Sequence, residues 1–73
     1  MNNAGNEIYA IQGELREIVN ELNSIANDLN TKYKGIGSER CADKLFDVAR
    51  NYNYVIQLLY QVDYNKIVEE NNG

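Results

Sequence analysis

The chain has 73 residues, with seven basic and eleven acidic side chains, no histidine, no proline and one cysteine. A net charge of -4 argues against general nucleic-acid binding, which needs a basic stripe. One cysteine excludes an intramolecular disulfide, the lack of histidine leaves no metal-ligand cluster, and no run of about 18 apolar residues is present to span a membrane. A domain of this size is marginal alone, so oligomerisation or a protein partner is the expected source of further stability.

Residues 1–6 read as a polar leader without the basic and apolar parts of a secretory signal peptide. The expectation is a cytoplasmic chain, or one exported by a route that needs no signal peptide. Asn6 can act as an N-cap, and Glu7 suits the positive end of a helix dipole. Helix 1 is predicted from about residue 7 to about residue 33. Ile8, Ile11, Leu15, Ile18, Leu22, Ile25 and Leu29 alternate steps of three and four, which is the spacing of a coiled-coil seam. Val19 and Ala26 fall on a flank of that seam. The arc spans about 120°, enough for one neighbour. Glu14, Glu17, Glu21 and Asp28, balanced only by Arg16, form the opposite, solvated face. Gly13 lies off the seam and costs about 1 kcal/mol of helix propensity.

The break falls at Tyr33-Lys34-Gly35-Ile36-Gly37, with residues 34–37 as the turn. Gly35 fits the left-handed position that ends many helices, and Lys32 and Lys34 suit the negative end of helix 1. Ile36 is expected to plug the end of the core. Ser38 is expected to cap helix 2, with Glu39 in its first turn. So short a connection makes the helices antiparallel.

Helix 2 is predicted from about residue 38 to about residue 68, followed by a polar tail, 69–73. Its stripe is Leu45, Val48, Tyr52, Val55, Leu59 and Val62. Cys41, Ala42, Phe46, Ala49, Ile56, Tyr60, Tyr64 and Ile67 widen the apolar arc to roughly 200°, more than one neighbour covers. The fold class is therefore all-α: one antiparallel two-helix hairpin, about 40 Å long, expected to dimerise into a four-helix bundle. Phe46, Ile56, Tyr60, Tyr64 and Ile67 are the candidate partner or dimer interface, because aromatic residues bury large areas at interfaces while keeping a polar tip.

No catalytic constellation is present, so the chain is not expected to be an enzyme or to need a cofactor or metal. Cys41 at the start of helix 2 has Arg40 and Lys44 nearby, which would favour a thiolate. Without a histidine base, a small buried apolar role is preferred. Asp63 interrupts the apolar arc and is read either as a proton-sensitive position or as a side chain turned to water in a fraying last turn. Lys32, Lys34, Arg40 and Lys44 make the hairpin tip basic, chiefly through complementing the helix dipole.

Two long helices joined through Tyr33-Lys34-Gly35 resemble the WXG100 family of small helical hairpins and the short helical partners of LXG toxins. Tyr33 stands where the family's Trp-x-Gly turn has tryptophan. The family's C-terminal Tyr-x-x-x-Asp/Glu export signal is not matched: Tyr64 follows Tyr60, and Val68 follows Tyr64. The resemblance implies homodimeric or heterodimeric four-helix bundles and type VII secretion, or a chaperone-like role toward a helical toxin. The expected function is a non-enzymatic protein–protein interaction module, pairing with itself or with a helical heteropartner. The alternative is a small acidic inhibitor from a phage or mobile element, which binds a host defence or nucleic-acid-processing protein through Glu14, Glu17, Glu21 and Asp28. A third possibility is a regulator or enzyme that depends on Cys41.

Overall fold

The computed structural model describes residues 4–62, which form α1 (Ala4–Lys32) and α2 (Ile36–Tyr60) joined by residues 33–35. The fold is an all-α antiparallel hairpin with no strand among the described residues. Glu7 in the first turn of α1 and Lys32 in its last turn each complement the dipole at their end.

The reversal depends on Gly35, whose φ of 151° and ψ of 161° lie in a region that only glycine occupies without strain. The chain passes from Gly35 straight into α2, and the Glu39 N–H donates to the Gly35 carbonyl at 3.1 Å. Helix 2 therefore starts two residues before the predicted cap. Ser38 caps nothing; its hydroxyl donates to the carbonyls of Gly35 at 3.0 Å and Tyr33 at 3.3 Å. Ile36 does not plug the core. It sits on the same outward row as Asp43 and Arg50, and it is 70 % exposed. Gly37 belongs to the first turn of α2 rather than to the loop. At its far end α2 stops at Tyr60 instead of about residue 68. Gln61 and Val62 donate to the carbonyls of Leu58 and Leu59, three residues back, so the last turn tightens and closes. Asp63, Tyr64, Ile67 and the predicted tail lie outside the described residues.

The packing rotates both helices away from their most apolar stripes. The fully buried row of α1 is Gln12, Val19 and Ala26, spaced by sevens, and that of α2 is Ala42, Ala49 and Ile56, spaced likewise. Val19, Ala49 and Ile56 form the core cluster, with Leu15, Leu22 and Tyr52 packed against it. Ala26 and Ala42, near the turn, have no exposed surface. Small side chains there let the two backbones approach closely. The Gln12 amide Nε2 donates to the Ile56 carbonyl at 3.2 Å, which ties the helices at the end away from the turn. Gln12 Oε1 is buried without a partner, a cost that a correctly aligned pair of helices must carry. The seam expected on α1 is thus half right. Ile8, Leu15, Leu22 and Leu29 are half-buried, but Ile11, Ile18 and Ile25 point outward.

Two glycine substitutions should have opposite effects. A Cβ at Gly13 meets nothing, so Gly13→Ala gains about 1 kcal/mol of helix propensity. Gly35→Ala loses about 1–3 kcal/mol, because alanine is strained at that φ. Urea unfolding followed by circular dichroism reads both.

Candidate interaction surface

Each helix carries an open apolar row directly before its buried row in sequence. On α1 the row is Ile11, Ile18 and Ile25; on α2 it is Cys41, Val48 and Val55, of which Val48 is half-buried. Two right-handed helices running in opposite directions place equivalent rows on the same side of the pair. The two open rows therefore share one face. Ile25 is 50 % exposed and Val55 42 %. Between these rows lie Leu15, Leu22, Leu45 and Tyr52, each half-buried. The result is one apolar surface with a leucine-rich floor and isoleucine and valine walls. Its rim on α1 is Glu14, Glu21 and Asp28; its rim on α2 is Lys44, Asn51 and Leu58.

The other side of the hairpin is built from the rows four residues after the buried ones; Arg16 and Phe46 are half-buried there, while Tyr9 and Tyr60 are exposed. Arg16 and Tyr60 occupy these rows. The Arg16 guanidinium donates to the Tyr60 hydroxyl and lies 5.8 Å from the centre of its ring. Phe46, on the same row as Tyr60, is half-buried.

The structure distributes the residues singled out in the sequence as follows. Ile56, expected on an outward interface, is 5 % exposed and lies inside the hairpin, because the alanine row turns it toward α1. Phe46 and Tyr60 share one row of α2, about four turns apart, on the side opposite the isoleucine and valine face; Phe46 is half-buried and Tyr60 exposed. Tyr64 and Ile67 fall outside the described residues. Tyr33 is exposed at the turn, beside Gly35. Cys41 is exposed rather than buried, since it precedes Ala42 and so joins the open row. Ile11, Ile18 and Ile25 were missed as surface residues. Their spacing of seven beside Gln12, Val19 and Ala26 was the available signal, but alanine and glutamine rank below isoleucine in any count of apolar periodicity.

Charge is confined to the outside. Lys32 and Asp28 pair at 3.7 Å with both side chains well exposed, and Arg50 pairs with Asp47; such pairs contribute about 0–1 kcal/mol. Glu14, Glu17 and Glu21 make no ion pair among the described residues. No group of histidine, cysteine or carboxylate side chains there is arranged to hold a metal ion. Among the described residues no helix is long and apolar enough to cross a membrane. Comparison with protein-family models, curated proteins and solved structures found no match.

The rotation of α1 can be tested directly. Val19→Ser should lower hairpin stability by about 1–3 kcal/mol, since it puts a hydroxyl into the core. Ile18→Ser should cost less than half as much. Tyrosine fluorescence in urea at submicromolar protein separates them; the reverse order would restore the Ile11–Ile18–Ile25 seam to the hairpin interior.

Proposed function

We propose that this chain is a non-enzymatic protein–protein interaction module that docks a helical partner on its isoleucine and valine face. One observation carries the reading: exposed Ile11, Ile18 and Ile25 of α1 and Val55 of α2 lie on rows that share one face of the hairpin. Scattered exposed apolar residues are ordinary, but contiguous patches mark interaction sites. A helical partner matches the shape, because rows spaced by sevens accept the ridges of another helix.

The most concrete version is a type VII secretion-associated partner or chaperone of a helical toxin or effector. It draws on the resemblance at Tyr33 and Gly35 together with the hairpin architecture. A phage or mobile-element inhibitor is the second reading. The exposed carboxylates Glu14, Glu17 and Glu21, with no ion pair among the described residues, favour it, since an acidic row attracts a basic partner surface.

Calorimetric titration against a helical toxin domain encoded beside the gene decides between them. On the first reading, Ile18→Glu and Val55→Glu each lose at least about tenfold in affinity, as expected for central interface positions, while their circular dichroism is unchanged. On the second, no such domain binds. Affinity for a basic target then falls in Glu14→Gln and Glu21→Gln and with rising salt.

A further inference from the structure

We infer that the occupant of the isoleucine and valine face is a second copy of this chain, packed with both turns at the same end of a four-helix bundle. The inference rests on the docking role proposed above and adds the partner's identity and orientation. Size is the first argument. Roughly 40 Å of helix length and an 18 Å width give on the order of 700 Å² per copy. That is close to the ~800 Å² per partner of a standard interface.

Charge supplies the second argument and fixes the orientation. Two symmetric arrangements can pair this face with itself. With the turns at opposite ends, α1 lies over the partner's α1, and the acidic rim Glu14, Glu21 and Asp28 runs against its own copy. With the turns at the same end, α1 lies over the partner's α2, and the acidic rim meets the rim that carries Lys44. The hairpin register sets the level of that meeting. Ala42 stands level with Ala26, and Ala49 with Val19, so Lys44 of one copy comes between Glu21 and Asp28 of the other. Along the rims, only this second arrangement separates like charges and brings opposite ones together; it also sets the basic tips of the two copies, Lys32, Lys34 and Arg40, at one end.

Sedimentation equilibrium on the full chain, at about 20 mM and about 500 mM salt, tests this. The expected results are a dimer below about 100 μM, loss of the dimer in Ile18→Glu with helicity kept, and weaker association in high salt. Lys44→Glu and Glu21→Lys should each weaken the dimer by about fivefold at low salt, two equivalent exposed pairs being lost in each. The double variant Glu21→Lys/Lys44→Glu should recover it. These two positions are exposed, so folding survives their exchange. A wild-type chain that stays monomeric at 100 μM overturns self-pairing while leaving a heteropartner on the same face to the calorimetric test. A dimer that Glu21→Lys alone tightens has its turns at opposite ends and overturns the orientation.

Discussion

Close approach of two helices through small side chains is the constraint from which the rest of this structure follows. Ala26, Ala42 and Ala49 sit where larger residues would hold the backbones apart. Once they face inward, the rotation of each helix is fixed. Val19 and Ile56 supply what bulk the core has, and Gln12 spans to the Ile56 carbonyl. A polar side chain in such a row costs stability but penalises other registers, since a slipped pair would bury its amide with still fewer partners. The same rotation sends Ile11, Ile18 and Ile25 outward.

That outcome is energetically incomplete. A half-exposed isoleucine leaves roughly 1 kcal/mol of possible burial unrealised, and the pattern repeats at Ile11, Ile18 and Ile25 along α1, with Val55 of α2 on the same face. A hairpin built only for its own stability would place isoleucine in the buried rows and alanine on the surface. On α1, Ile11, Ile18 and Ile25 lie outside the buried row, and this makes sense when the open face belongs to a second interface. On the other side Arg16 and Tyr60 pair through an exposed hydrogen bond, which gives that side polar-tipped side chains. The hairpin is asymmetric in chemistry although its two helices are nearly equal in length.

The fold was legible from the sequence because helical periodicity, Gly35 and the lack of any proline all point to one reversal between two helices. The facing of the helices was not. Periodicity selects the stripe with the greatest hydrophobicity, and on both helices that stripe runs between the half-buried and open rows. The hairpin instead uses the stripe whose residues are smallest. The apolar arc places excess apolar surface on helix 2, at the Phe46 and Tyr60 flank, and none on helix 1; the structure exposes Tyr60, half-buries Phe46 and adds Ile11, Ile18 and Ile25 of α1. Ser38 and Ile36 misled for a local reason: a glycine at φ 151° lets the chain enter a helix at once, which moves each of them by about half a turn from its expected role.

The central claim is that the isoleucines of α1 face away from their own hairpin and into a partner copy. Methyl NMR with a water-soluble paramagnetic reagent tests it in one titration of protein concentration. The account predicts that Ile11, Ile18 and Ile25 methyls are relaxed in dilute protein and become protected as the concentration rises, while Val19 and Ile56 are protected throughout. Isoleucine methyls protected at every concentration would place them inside the hairpin; methyls relaxed even in concentrated protein would leave the face without a partner copy. Either result contradicts the account.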